Sequence, residues 1–357
     1  MEHSEMKGQK GGKPFDYLRV DDFIENMVAA RALTTAFELH LIDTLNVNRS
    51  ATYDVLKQVI PSSHDGLKLL LKLLADSGVL ENIDDHYSLT PKFISALQYR
   101  DLLLAKLDFS HIAAHDFIDS FSVVITDPIE FMKRSGMFRL FNYGNALESS
   151  PQNRNLTKRW MRITTLLTRY EAHACFSLHG FGNYRRMLDI GGNSGEFALQ
   201  ACRIFPELRA TVFDLPVVCD IGCEHVRKEP ESARINFIKG NARTDGLPEG
   251  FDLITFKSML HDWPEEEVRK FLHKACNALE PGGTLLIFER GPFEIGETGL
   301  SYSKIPIFLF AHTLRSPDLY LECLAEKGFH QITVQWIDLE LPFFLVTGVK
   351  TACSNDR

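Results

Sequence analysis

From Arg186 onward, short apolar strands alternate with helical segments, and this alternation restricts the fold more than any other feature of the chain. The strands are Met187-Leu188-Asp189-Ile190, Ala210-Thr211-Val212-Phe213, Ile235-Asn236-Phe237-Ile238, 251–256 and 283–288. Helical patterns over 196–205, 216–228, 265–279 and 317–327 lie between or after them. Strands that are apolar on both faces and separated by helices belong to a parallel sheet covered on both sides. The last two strands, 331–337 and 343–349, follow each other with no helix between, which predicts an antiparallel hairpin at the sheet edge. The fold class is therefore α/β, a doubly wound Rossmann-like sheet closed by a terminal hairpin.

Ahead of this domain the pattern is helical. Apolar residues recur at helical spacing from Arg19 to Leu45, through Phe23, Met27, Ala30, Leu33, Phe37 and Leu41. A short helix is expected over 51–59, and Ser63 is placed to cap a third helix ending at Gly78. Residues 79–83 and 86–89 flank Asp84-Asp85 as a hairpin. Three helices and a two-stranded wing make a mainly α winged-helix pattern. Its third helix carries only Lys68 and Lys72, so a dimerisation module is favoured over DNA binding. Four segments follow: a disordered tail over 1–18, the winged-helix domain over 19–100, a helical linker and lid over 101–182, and the α/β domain over 183–352.

The lid region is rich in aromatic residues, among them Phe109, Phe138, Phe141, Tyr143 and Trp160. Most belong to a core; some, with Trp160 a candidate, line an apolar substrate pocket. Arg139 stands between Met137-Phe138 and Leu140-Phe141, either as a snorkelling surface residue or as a clamp for a substrate carboxylate. The net charge of −8 argues against a nucleic-acid or membrane-surface partner. Seven cysteines, none in a C-x-x-C pair, read as reduced thiols in a cytoplasmic protein.

Three features in register with the strands point to a nucleoside. Asp189-Ile190-Gly191-Gly192-Asn193-Ser194-Gly195 joins the first strand to its helix, with Asn193 suited to a left-handed turn. Asp214 ends the second strand, where an acid bonds ribose hydroxyls. Gly240-Asn241-Ala242, after the third strand, stands where a base edge is read. His261 and Asp262 lie just past the strand at 251–256, where open α/β sheets bind ligands. Asp262 is also placed to cap the helix that starts after Pro264. The terminal hairpin and the helical lid favour S-adenosylmethionine over a dinucleotide.

With Leu188 to Gly195, Val212-Phe213-Asp214-Leu215-Pro216, Leu260-His261-Asp262-Trp263 and Glu280-Pro281-Gly282-Gly283 in place, the chain resembles a known family from residue 20 to 350. This is the S-adenosylmethionine-dependent small-molecule O-methyltransferases, which include plant caffeate and bacterial antibiotic O-methyltransferases. The resemblance implies a class I methyltransferase sheet behind a homodimerising winged-helix domain. It places Asp189, Gly191, Gly192 and Gly195 at the methionine part of the cofactor and Asp214 with Leu215 at the ribose. Asn241, Ala242 and Lys257 then flank the adenine, although the family usually has Asp where Asn241 stands. His261 becomes the base that takes the acceptor's proton, steadied by Glu289.

The family's second supporting carboxylate, in a Gly-Gly-x-Glu-Arg-Thr segment, is missing: this chain reads Ala311-His312-Thr313-Leu314-Arg315-Ser316. His261, Asp262 and His312 remain as a ligand set for one divalent metal, iron or zinc. That set resembles the family's metal-dependent C-methyltransferase branch. The first expectation is thus metal-assisted methylation of the β-carbon of an amino-acid-derived 2-oxo acid. The alternatives are O-methylation of an aromatic or enolic hydroxyl with His261 as base, and a non-catalytic winged-helix regulator.

Overall fold

The computed structural model describes residues 15–296 and 299–351. The chain divides into two compact units, Met1–Leu103 and Leu104–Arg357.

The first unit opens with a 3-10 helix, Asp16–Phe23, in which Tyr17, Leu18 and Val20 are buried. Asp16 to Leu18, expected within a disordered tail over 1–18, thus belong to this helix, and residues 1–14 lie outside the described residues. The elements that follow are α1 (Met27–Glu38), α2 (Leu41–Asn48), β1 (Ser50–Thr52), α3 (Tyr53–Val59) and α4 (His64–Asp76). After them come β2 (Leu80–Ile83), β3 (His86–Leu89) and α5 (Pro91–Leu97). Side-chain caps decide where helices begin: Asn26, Thr52, Ser63 and Thr90 each accept a backbone N–H three residues on. The Thr52 cap explains one departure from expectation. The helix expected over 51–59 starts at Tyr53, because Ser50–Thr52 pairs with Ser88, Tyr87 and His86 instead. The wing is thus a three-stranded antiparallel sheet in the order β1-β3-β2. α1 packs on α4, leaving Met27, Val28 and Leu69 exposed along a shallow apolar groove.

The second unit begins within α6 (Arg100–Thr126), which kinks at Ser120. α7 (Pro128–Arg134), α8 (Gly136–Leu140), a 3-10 turn at Tyr143–Ala146 and the 28-residue α9 (Pro151–Leu178) follow. The α/β part runs β4 (Arg186–Ile190), α10 (Glu196–Ile204), β5 (Arg209–Asp214), α11 (Pro216–Val226), β6 (Ile235–Lys239) and β7 (Phe251–Lys257). It continues through α12 (Glu265–Ala278), β8 (Leu279–Arg290), α13 (Ile305–Leu309), α14 (Asp318–Glu326), β9 (Phe329–Asp338) and β10 (Pro342–Lys350).

These seven strands form one sheet in the order β6-β5-β4-β7-β8-β10-β9. The first five are parallel, and β10 runs antiparallel to both β8 and β9, as the terminal hairpin required. Leu188, Ile254, Phe256, Leu285, Ile287 and Val346 are almost fully buried, and α12 covers them with Val268, Phe271, Leu272 and Ala275. Each such side chain contributes roughly 1.5–3 kcal/mol by leaving water, which holds the strands in register. The chain works outward from β4 to β6, then returns to β7 on the other side of β4. That reversal opens a crevice at the C-terminal ends of β4 and β7, the position where open α/β sheets bind ligands.

Candidate active site

The turn after β4 passes through Gly191 (φ +68°), Gly192, Asn193 (φ +57°) and Gly195 (φ +74°) before α10. A Cβ on Gly192 would lie 2.5 Å from Asp189 Oδ2, and one on Gly195 2.8 Å from Phe237. Glycine alone lets strand, turn and helix approach this closely. Helix α9 lies over the turn: Thr165 bonds Ser194 (2.8 Å), and Asn193 Nδ2 donates to Thr164 (3.0 Å).

Asp189 is fully buried beneath the turn. Its Oδ1 accepts from Thr255 (2.7 Å), and its Oδ2 has no partner among the described residues. Burial pushes its pKa up to about 7 against that hydrogen bond. Asp214, ending β5, accepts from the N–H groups of Asn193 (2.8 Å) and Leu215 (2.7 Å). Burial still lifts it to about 6. Gly191, Asn193, Asp214, Leu215, Gly240, Asn241 and Ala242 line one cavity of about 320 Å³. The loop after β6 is pinned by Lys274, which donates to the carbonyls of Ala242 (2.7 Å), Arg243 (3.1 Å) and Asp245 (2.9 Å). Arg243 lies over the Trp263 ring at 5.2 Å, and both residues line the cavity.

S-adenosylmethionine fits these residues. Asp189 itself does not line the cavity, and its partnerless Oδ2 stays beneath the turn, 2.5 Å from where a Gly192 Cβ would stand. The glycine turn leaves space, Asp214 offers a carboxylate, and Leu215, Ala242 and Trp263 give an apolar lining. Lys257 also lines the cavity, but its ammonium is committed to α9, paired with Glu171 and donating to Thr168 (3.0 Å).

At the other end, His261 and Asp262 sit in a 3-10 turn, Leu260–Asp262, directly after β7. The preceding Ser258 holds a left-handed backbone (φ +49°) that an L side chain rarely adopts. A bond from its N–H to Phe288 O (2.9 Å) and one from Arg290 to its Oγ (3.0 Å) hold it there. Glu289, at the end of β8, is fully buried. Its Oε1 accepts from the N–H groups of Met259 (2.8 Å) and Leu260 (2.7 Å), while Oε2 lies 2.7 Å from His261 Nδ1. A carboxylate only accepts, so the proton belongs on Nδ1 and the lone pair on Nε2. Nε2 lies 3.4 Å from Asp262 Oδ1, and Asp262 Oδ2 accepts from Tyr143 Oη (2.7 Å).

Asp262 is therefore no helix cap; α12 starts without a side-chain cap. Burial works against a charged His261, but the Asp262 and Glu289 carboxylates outweigh it and the net shift is upward. Burial raises Asp262, only partly offset by His261 and Tyr143. Glu289 is lowered despite its burial, because His261 and two N–H groups favour its charge. Trp160, Phe141 and Tyr143 wall this end, with ring centroids 5.4 Å apart for Tyr143–Trp160 and 6.1 Å for Phe141–Trp160.

Two sequence expectations are corrected. His312 does not join His261 and Asp262: it is exposed, with Nε2 3.0 Å from Met132 Sδ and its ring against Phe138. The short 3-10 turn Ala311–Thr313 turns it away, and Leu314 faces the cavity instead. Among the described residues no three His, Cys, Asp or Glu side chains form a group able to hold a metal. The residues present do not fit the expected iron or zinc. Arg139 is exposed on α8 and does not line the cavity; the guanidinium found there is Arg290. Sequence reasoning missed Arg290, Glu171, Glu340 and Lys274, whose one signal is charge set in or beside apolar runs.

Comparison with known proteins agrees with this geometry. The family model described as the O-methyltransferase domain matches residues 121–330, and the O-methyltransferase dimerisation domain matches residues 22–92. A human protein named a probable bifunctional dTTP/UTP pyrophosphatase/methyltransferase is 27% identical over 347 residues, 93% of this chain and 54% of its own length. The 3-hydroxy-5-methyl-1-naphthoate 3-O-methyltransferase of Streptomyces sahachiroi is 37% identical over 152 residues, 42% of this chain and 41% of its own. The chain thus spans about half, or less, of the length of these two relatives. The solved structure of the mitomycin 7-O-methyltransferase MmcR shares the fold, with a TM-score of 0.69 at 21% identity, over 90% of this chain and 94% of that one. With a domain match across more than half of its residues, the chain belongs to the O-methyltransferase family, on the S-adenosylmethionine-dependent class I fold that its motifs resemble.

Proposed function

We propose that the protein is an S-adenosylmethionine-dependent methyltransferase that methylates a hydroxyl oxygen of a small aromatic or enolic acceptor. The observation that carries this reading is the His261–Glu289 pair, with Nδ1 bonded to a buried carboxylate and Nε2 beside Asp262 on a ring that lines the cavity. S-adenosylmethionine, when bound, supplies an electrophilic methyl group on a sulfonium. His261 Nε2 takes the hydroxyl proton as the oxygen becomes nucleophilic, a general-base role worth about 10²–10⁴-fold. The imidazolium that results lies between Asp262 and Glu289, which stabilise it. Phe141, Trp160 and Phe310 exclude water and pack a flat acceptor.

Metal-assisted C-methylation, the first expectation, loses its ligand set with His312. A regulator without catalysis has no use for so supported a base. The exposed apolar face of α1 and α4, within the matched dimerisation segment, supports a homodimer. The six described cysteines, all free, support a reducing, cytoplasmic setting. Among the described residues no helix is long and apolar enough to cross a membrane.

Release of S-adenosylhomocysteine across a panel of hydroxylated aromatics tests the proposal. Turnover lost in His261→Ala, with cofactor binding kept, supports it. No turnover with any hydroxyl acceptor, alongside turnover with a 2-oxo acid, overturns it.

A further inference from the structure

Proton abstraction by His261 needs no hydroxyl on Tyr143, yet the site holds one against Asp262. His261 and Asp262 are consecutive residues of a 3-10 turn. Neighbouring side chains leave such a turn roughly 120° apart. Their contact, Nε2 to Asp262 Oδ1 at 3.4 Å, is therefore not built in locally, and it is longer than a hydrogen bond. Among the described residues, what grips the Asp262 carboxylate is Tyr143, whose Oη donates to Oδ2 at 2.7 Å.

Tyr143 is itself fixed. Asn142 Oδ1 accepts the Gly144 N–H (3.0 Å) and shapes the turn between α8 and α9. The ring stands edge-on to Trp160 and stacks on Trp263 at 6.2 Å, so the hydroxyl has one direction to point. Burial and the Asp262, Asp214 and Glu289 carboxylates push the phenol pKa up, which keeps Oη a neutral donor. The other charges facing the His261–Asp262 pair are Glu289 and Arg290, both from the end of β8. The segment 311–316 brings no carboxylate.

We propose that Tyr143 is a positioning residue: its hydroxyl aims Asp262 Oδ1 at His261 Nε2 and so sets the strength of the base. This inference rests on the reading of His261 as that base. Once Nε2 holds the acceptor's proton, Asp262 Oδ1 faces the new N–H and meets the imidazolium without removing the proton from it. Asp262 thereby stands in for the carboxylate absent from 311–316, and Tyr143 is what makes it serve. Without the hydroxyl the mostly buried carboxylate loses its donor. It then turns to water or takes up a proton, because a buried charge lacking a hydrogen bond is costly. Either way the negative charge that raises His261 is lost.

The test is an NMR titration of the His261 ring in protein carrying isotope-labelled histidine, with S-adenosylhomocysteine bound. The signal missing from His261→Gln identifies the residue. In the wild type it should titrate above the ordinary histidine value of about 6.5. Tyr143→Phe keeps the ring and should lower that value by up to about one unit, as Asp262→Asn does. Adding Tyr143→Phe to Asp262→Asn should shift it no further, since the two changes act through one interaction. A Tyr143→Phe titration equal to or above the wild type's overturns the proposal. So does a Tyr143→Phe shift of the same size with and without Asp262→Asn, which marks a ring that only packs. Circular dichroism and binding of S-adenosylhomocysteine check the folding of each variant. Because the titration is read without turnover, failure here leaves the methyl-transfer proposal to its own assay.

Discussion

Glu289→Gln is a nearly isosteric change that reverses the protonation of the proposed base. Glu289 makes three hydrogen bonds, two from the backbone of Met259 and Leu260 to Oε1 and one between Oε2 and His261 Nδ1. At about 1 kcal/mol each, the two backbone bonds hold the amide oxygen where Oε1 was. The opposite rotamer would also set the amide NH₂ against two N–H donors. The NH₂ group therefore faces His261 Nδ1, which must accept instead of donate. The imidazole proton moves to Nε2, and the lone pair facing the acceptor is lost.

Loss of one general base with the wrong tautomer locked in costs about 10³–10⁴-fold in kcat. Glu289 does not line the cavity, so the affinity for S-adenosylmethionine should stay near the wild-type value. Single-turnover S-adenosylhomocysteine release, with cofactor binding by calorimetry in parallel, measures both quantities. A kcat within about tenfold of wild type, with normal cofactor binding, would refute the tautomer argument.

Three further outcomes follow from the same structure. Asp262 helps to raise the His261 pKa, so in Asp262→Asn the neutral, active imidazole persists to lower pH. The acid limb of kcat/KM should move down by up to about one unit, and an upward move contradicts the assignment. Glu171→Gln leaves Lys257 and Arg290 short of a counter-ion and should cost roughly 3–5 kcal/mol, a fall in Tm of roughly 6–20 °C. Because Glu171 is depressed to about 2, its contribution is present above the ordinary glutamate range and fades as pH falls from there toward 2. The variant should therefore lose the wild type's stability difference in acid, and a difference that persists at pH 2 argues against the ion pairs. Prolonged chelation should leave methyl transfer unchanged; activity lost to chelator and restored by a divalent ion would reinstate a metal that His261, Asp262 and His312 do not assemble here.

The sheet was legible because its signals are local. Apolar runs, the Gly191–Gly195 turn and the helix start after Pro264 each depend on residues within one turn or strand. Asn193 adopts the left-handed conformation its sequence context suggested. The small strand at Ser50–Thr52 escaped because three residues carry no period of their own and are defined only by pairing with β3. His261 with Glu289 was visible only through resemblance, since 28 positions separate them.

The metal set failed for the opposite reason. His312 has suitable chemistry, but the path of Ala311–Thr313 decides where its ring points, and composition does not encode that path. Arg139 and Arg290 make the same case. Both sit in apolar surroundings along the chain, yet one emerges at the surface of α8 and the other turns inward between Phe343 and Glu171. The Tyr143–Asp262 bond joins residues 119 apart and left no trace in spacing.

The most direct test uses S-adenosylmethionine labelled on its methyl group, with the hydroxylated aromatics of the acceptor panel and the products read by NMR. The wild type should place the label on oxygen, as a methyl ether. His261→Ala should give no labelled product while binding the cofactor as the wild type does. Label on a carbon atom, or undiminished ether formation by His261→Ala, would contradict it.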